Sequence, residues 1–197
     1  REDMIVVDDA IVALLEGGKI RRLPKRNFTA ESIASEKPVF IMETQTDRRL
    51  RFFTSHGNCL IIGVDELPEA RLTAKATNLN SLVQLEKDEE IVACFDEVKD
   101  DTLVFFTALG SAKRTEGKEF DLRTKKTAAI ALKDDDRVIA VEKQDDTAGT
   151  VIMVSKGGMS IRFATDTVPV MGKGAGGVKC MKLDEGDRVI FAAQIAD

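Results

Sequence analysis

No tryptophan, no tyrosine, one histidine and three cysteines occur among the 197 residues. With phenylalanine the only aromatic, the chain has few rings on which unpaired nucleic-acid bases could stack. The lone His56 adjoins Gly57 and has no cysteine, histidine or paired carboxylate at ligand spacing. It reads as a turn residue, not as a base or a metal ligand. Cys59, Cys94 and Cys180 are odd in number, irregularly spaced and set among strand-like residues. They read as buried reduced thiols, without a disulfide framework or metal site. Also missing are a signal peptide, an apolar stretch of bilayer length, a glycine-rich dinucleotide turn, a P-loop, a nucleophile elbow and a zincin helix. The aspartate-rich turns Asp134–Asp136 and Asp184–Asp187 lack the calcium-loop pattern. The expectation is a cytoplasmic protein with no catalytic residue, no metal and no cofactor.

What is present is a repeat. GlyLysIleArgArg from Gly18, GlyAsnCysLeuIle from Gly57, GlySerAlaLysArg from Gly110 and GlyMetSerIleArg from Gly158 fit one template. An apolar run precedes each glycine, starting at Ile11, Leu50, Leu103 and Val151. Ten residues after each glycine stands an apolar anchor: Phe28, Leu67, Phe120 and Val168. The last three repeats continue through Leu85–Ile91, Leu132–Val138 and Leu183–Val189, each bracketing an acidic turn before another apolar run. The glycines stand 39, 53 and 48 residues apart, which brackets the period of a four-stranded propeller blade. β-Branched and aromatic runs bounded by turn residues predict strands throughout, and no stretch has helical periodicity. Glycine between two such runs suits a hairpin turn with positive φ. Small blades bury their apolar faces only by stacking. The reading is all-β: one domain over residues 1–197, with approximate repeats 1–47, 48–99, 100–147 and 148–197, the first one short.

The net charge of −5 argues against a nucleic-acid partner at face value, but the charges are segregated. Residues 17–26 hold five bases and no acid: Lys19, Arg21, Arg22, Lys25 and Arg26. Residues 113–126 hold Lys113, Arg114, Lys118, Arg123, Lys125 and Lys126 against three acids, whereas residues 84–101 hold eight acids and two bases. Arg22, Arg114 and Arg162 occupy one repeat position, four after the glycine, where the second repeat has Ile61. A second basic position follows the anchor: Arg71 and Lys75, then Lys125 and Lys126, then Lys173. Strand-edge protection alone would not need bases at matched positions. Equivalent positions lie on equivalent parts of a propeller, so a basic belt is expected, apart from an acidic surface. Such a belt suits duplex phosphates, with sequence-tolerant, salt-sensitive binding.

GlyGlyLysIleArgArgLeuProLysArgAsnPhe from Gly17 opens a longer resemblance. PhePheThrSerHisGlyAsn leads to GluLeuProGluAlaArg, and PhePheThrAlaLeuGlySerAlaLysArgThr follows from Phe105. ValSerLysGlyGlyMetSerIleArgPhe and MetGlyLysGlyAlaGlyGlyValLys complete the last repeat. Together, over essentially the whole chain, these resemble the C-terminal DNA-binding domain of DNA gyrase, as carried by its cleavage-core polypeptide, and its topoisomerase IV counterpart. The opening ArgGluAspMetIleValValAsp resembles the start of that domain after the cleavage core. The resemblance implies a β-pinwheel, a propeller variant that exchanges a strand between neighbouring blades, with DNA curving around its basic rim. It implies as partners duplex DNA, the cleavage core of the same chain and a separate ATP-binding subunit, in a cytoplasmic, nucleoid-associated enzyme. The strand-cleaving nucleophile of that enzyme class is a tyrosine, so this segment is expected not to cut DNA.

Two features depart from the family pattern. Gyrase carries a glycine-rich basic box after the anchor equivalent to Phe28, where this chain reads ThrAlaGluSerIleAlaSerGluLysPro. That stretch lacks the flexibility and the charge to clamp a wrapped duplex. The second departure is four repeats, where the family commonly shows more. Both point to a topoisomerase IV-like holder of the transported segment, or a gyrase without its box. A propeller serving only as a protein-interaction module is the alternative. Expected phosphate contacts are Arg22, Arg114 and Arg162, flanked by Lys19, Arg21, Lys25 and Arg26 on the first blade. Arg71 and Lys75 extend the belt on the second blade, and Lys113, Lys118, Arg123, Lys125 and Lys126 on the third. Lys156, Lys173 and Lys179 do so on the fourth.

Overall fold

Each apolar run pairs with the run after its glycine to make a hairpin, because glycine tolerates the positive φ of a tight turn. Gly18, Gly57, Gly110 and Gly158 have φ of 72°, 79°, 89° and 89°. The computed structural model describes residues 6–196, so most of the opening ArgGluAspMetIleValValAsp motif lies outside the described residues. The four hairpins are β1 (Asp9–Leu15) with β2 (Lys19–Pro24), and β4 (Arg49–Thr54) with β5 (Asn58–Gly63). They continue with β8 (Thr102–Thr107) and β9 (Ser111–Glu116), then β12 (Thr150–Ser155) and β13 (Ser160–Ala164). The apolar runs after the acidic turns form inner strands: β7 (Ile91–Phe95), β11 (Val138–Lys143) and β15 (Val189–Ile195). The first sheet has its own inner strand, β3 (Pro38–Gln45).

The remaining strands cross between sheets. β6 (Thr77–Asn78) follows the second hairpin in sequence yet pairs with β2 of the first sheet. β10 (Lys126–Ala128) likewise pairs with β5, and β14 (Val178–Lys179) with β9. The sheets are therefore ordered β3-β1-β2-β6, β7-β4-β5-β10, β11-β8-β9-β14 and β15-β12-β13. Three have the expected four strands. The fourth has three, and among the described residues no strand pairs with the outer edge of β13.

The backward crossing is fastened at the hairpin glycines. The Gly57 carbonyl accepts hydrogen bonds from the Ala129 and Ile130 amides at 2.8 and 3.2 Å, and the Gly110 carbonyl accepts from Cys180 and Met181 at 2.8 and 3.1 Å. A Cβ at Gly57 would lie 2.7 Å from the Ile130 carbonyl, and one at Gly110 would lie 2.6 Å from that of Met181. Glycine thus serves both the turn and the close approach of the incoming strand.

Alternating side chains of each hairpin fill the spaces between sheets. Leu14, Phe52, Leu60 and Leu67 pack between the first two, and Val104, Phe106, Met153 and Val168 between the last two. Between the second and third, Phe53 meets Phe105 and Phe120 edge-on with centroids 5.5 and 5.1 Å apart.

One helix departs from the all-strand expectation. Residues after Phe28, where the glycine-rich box would stand, form α1 (Ala30–Ala34). The Ser32 hydroxyl accepts from the Thr29 amide at 3.3 Å, and Ile33 is fully buried against Ile11, Ala13, Leu15 and Leu23. Five residues are too few to show periodicity; local capping and one buried contact form this turn of helix instead. It covers the face of the first sheet opposite the one packed on the second sheet. It also explains the short first repeat, since α1 stands where later repeats carry a donated strand. Among the described residues no helix is long and apolar enough to cross a membrane.

Candidate nucleic-acid interface

Each hairpin has a turn at one end and, at the other, a short 3-10 turn that follows β2, β5, β9 or β13. At the glycine end, acidic turns are fastened to the hairpins: the Asp136 carboxylate accepts from the Leu109 amide at 2.9 Å, and that of Asp187 from the Gly157 amide at 2.9 Å. Glu89, buried, accepts from Thr54 Oγ1, Asn58 Nδ2 and the Glu86 amide. Desolvation pushes its pKa upward, but these hydrogen bonds and Lys126 outweigh it and hold the carboxyl below its usual range. The fold also brings His56 beside Glu86 and Glu89, with ligand-capable atoms within 4.8 Å of one another. Both oxygens of Glu89 are already engaged, which makes this cluster a turn fastener.

Repeat-matched bases prove to be fasteners between blades. Third after their glycines, Arg21 and Lys113 are 4% and 0% exposed. Arg21 Nη1 donates to the Arg71 carbonyl at 2.9 Å and Nη2 pairs with Glu36 at 2.8 Å. Lys113 Nζ donates to the Gly172 carbonyl at 2.9 Å and lies over the Phe105 ring. Arg71 and Gly172 are themselves equivalent, four residues after the anchors Leu67 and Val168. Fourth after their glycines, Arg22 donates to the Val64 carbonyl and Arg114 to that of Val168, at 2.9 and 2.7 Å.

The second blade fastens itself differently. Arg51 sits directly across the hairpin from Ile61, as Val12 sits across from Arg22. The arginine has changed strands. Arg51, 4% exposed, donates to the carbonyls of Phe120, Arg49 and Asp96 at 3.2, 2.7 and 2.7 Å and pairs with Asp121. The same blade-to-blade interface recurs, so the same cation recurs; that is the physical reason for the matched positions. The expectation that Arg21, Arg22 and Lys113 point out of a rim is therefore corrected: their polar atoms face the next blade. Arg114 is fastened in the same way through Nε, but its Nη1 reaches the surface, 3.7 Å from the exposed Asp166. Arg162, at the same position on β13, is exposed.

Burial pushes the Lys113 ammonium down to about 8. Its folded value lies below its unfolded one, so the folded state releases its proton first, and stability rises with pH between about 8 and 10.5. Urea midpoints across that range should show up to about 3 kcal/mol of gain that Lys113→Met lacks. Equal pH dependence in both proteins would contradict this burial.

The exposed bases follow the crossing strands. Lys19 and Arg26 belong to the first sheet, and Arg71 and Lys75 precede β6, which joins that sheet. Arg26 and Arg71 line one cleft with Leu23, Asn27 and Thr73. Arg123, Lys125 and Lys126 lie at β10 on the second sheet, and Lys179 is on β14 of the third. Blade assignment from sequence order was thus one sheet late for these positions. Lys173 is half-buried, its Nζ donating to Thr127 Oγ1 at 2.9 Å. Lys156 is exposed on the fourth hairpin's turn, and Lys118 on the third blade's 3-10 turn. Among the described residues, Lys19, Arg26, Arg71, Lys75, Arg123, Lys126, Lys156 and Lys179 have no carboxylate within ion-pair distance. Lys25, Lys118 and Lys125 pair with Glu43, Glu116 and Glu66.

Comparison with known proteins agrees with this geometry. Residues 52–95, 101–145 and 149–196 match the family described as DNA gyrase C-terminal domain, beta-propeller. The A subunit of DNA topoisomerase 4 from Streptococcus pneumoniae is 34% identical over 93% of this chain and 24% of its own length. The A subunit of DNA gyrase from Escherichia coli is 32% identical over 96% of this chain and 23% of its own. The chain thus spans about a quarter of these relatives. Among solved structures, a C-terminal domain of DNA topoisomerase IV superposes with a TM-score of 0.87 at 27% identity, over 98% of this chain and 63% of that one. With its hairpins, crossing strands and matched segments taken together, the chain belongs to the DNA gyrase C-terminal β-propeller family.

Proposed function

We propose that this domain binds duplex DNA along the outer strands of its sheets. It would thereby hold a DNA segment for strand passage by a type IIA topoisomerase whose cleavage core and ATP-binding subunit lie elsewhere. The observation that carries this is the segregation of charge. Arg71, Lys75, Arg123, Lys126 and Lys179, exposed and with no carboxylate within ion-pair distance, stand on and before the crossing strands, while the turn acids Glu89, Asp136 and Asp187 are fastened at the hairpin end. Contacts come from Lys19, Arg26, Arg71 and Lys75 on the first sheet and from Arg123 and Lys126 on the second. Lys156, Arg162 and Lys179 extend the path.

α1 supports a topoisomerase IV-like holder. It puts a short helix pinned by the buried Ile33 where a flexible basic loop would stand, so the first sheet lacks a clamp for chiral wrapping. The reaction chemistry belongs to the parent enzyme, and its location to the cytoplasm and nucleoid.

Binding of duplexes of unrelated sequence across a salt series tests this. Arg123→Ala with Lys126→Ala should weaken all sequences alike and reduce the salt slope by about 2. Unchanged affinity would rule out the rim as the binding surface. No binding by the unmutated domain would favour a protein-interaction module, for which Ile190 and Phe191, 62% and 53% exposed on β15, offer an apolar surface.

A further inference from the structure

The four 3-10 turns occupy one repeat position, yet their charges differ. The first reads Lys25-Arg26-Asn27, the second Val64-Asp65-Glu66, the third runs from Gly117 to Phe120 with Lys118 and Glu119, and the fourth reads Thr165-Asp166-Thr167. The first turn is purely basic, and the second and fourth are purely acidic. Carboxylates at these later turns reach the bases of the rim. Glu66 Oε2 lies 2.7 Å from Lys125 Nζ, and Glu116, just before the third turn, lies 2.8 Å from Lys118 Nζ. Asp166 lies 3.7 Å from Arg114 Nη1.

These pairs do little for the fold. Lys125, Lys118, Glu116 and Asp166 are largely exposed, and exposed pairs contribute roughly 0–1 kcal/mol. Arg114 is held independently by the Val168 carbonyl and Gln144. Lys125 holds the Glu66 carboxyl below its usual range, with help from the Gly63 amide. What each pair does do is cancel a positive charge where a phosphate would bind.

We propose that Glu66, Glu116 and Asp166 form a built-in competitor for DNA phosphates. This inference rests on the DNA-binding reading above. The competitor weakens contact at Lys125, Lys118 and Arg114 relative to the bases without a carboxylate, Arg71, Lys75, Arg123 and Lys126, and it keeps those three positions as a weak surface from which a duplex segment is readily released. DNA engaging Lys125, Lys118 or Arg114 has to displace a carboxylate from the base, so each of these steps gains less than one unpaired contact would give.

The test uses three proteins in the same salt series. They are the unmutated domain, the rim triple Glu66→Gln, Glu116→Gln and Asp166→Asn, and a control triple Asp134→Asn, Asp184→Asn and Glu185→Gln at the hairpin end. Both triples add three to the net charge. The expected result is that the rim triple binds duplex DNA about tenfold more tightly, with a salt slope steeper by about 1–2 and a longer nuclease footprint. The control triple should stay within about twofold of the unmutated domain. Equal tightening by both triples would reduce the effect to net charge, and no tightening by the rim triple would show that the carboxylates do not compete; either overturns the proposal. Absence of binding by the unmutated domain would instead overturn the DNA-binding reading. Melting curves verify that all three are folded.

Discussion

Gly117→Ala should destabilise the domain by about 3–5 kcal/mol, seen as a fall of roughly 10–15 °C in the thermal midpoint. The cause is space, not backbone freedom, since Gly117 lies outside the positive-φ region. A Cβ there would stand 1.7 Å from the Val98 carbonyl oxygen and 2.7 Å from its carbon. That carbonyl accepts from the Asp101 amide at 3.0 Å, and the Asp101 carbonyl accepts from the Gly117 amide at 2.8 Å. Movement to admit a methyl group therefore breaks the link between β7 and β8. The equivalent residues Val64 and Thr165 are buried with their side chains, so the demand for glycine belongs to this blade alone. Gly174→Ala, with nothing within 4 Å of its Cβ, should change the midpoint by about 2 °C or less. A comparable fall in both variants would refute this account.

Arg51→Met should cost about 3–5 kcal/mol in urea unfolding. Methionine preserves the buried stem but leaves the carbonyls of Phe120, Asp96 and Arg49 without their donor. Arg51→Lys should recover only part of the loss, because one ammonium on a flexible stem does not reproduce the planar fork that serves three acceptors. Hydrogen exchange should show the loosening at the interface of the second and third sheets. Full rescue by lysine would mean that charge, not geometry, holds this interface. Arg114→Met should cost less, since Arg114 is partly exposed and its acceptors can turn to water.

The four hairpins were legible in the sequence because glycine, apolar run and anchor recur at fixed offsets, and each offset has one physical cause. The fate of the bases was not. Whether Arg21 or Lys113 faces solvent depends on a carbonyl in the next repeat, which composition does not reveal. Arg51 was readable in principle. Pairing outward from the turn at Gly57 places it opposite Ile61, in the position where the other hairpins show the reverse order. The two-residue strands β6 and β14 are too short to display alternation, so their bases were assigned one sheet late. α1 escaped notice for the same reason, since its signals are one serine cap and one buried isoleucine.

The backward crossing of β6, β10 and β14 puts the unit that is repeated along the gene out of phase with the unit that packs in space. A duplication running from the first strand of one hairpin to the first strand of the next, as β4 to β7, would copy three strands of one sheet together with the outer strand of its predecessor. Each added unit would complete the neighbour before it and leave its own outer edge open. An array built this way lengthens by addition at one end without redesign of any existing interface. Blade number can therefore drift between lineages while the existing internal junctions stay intact.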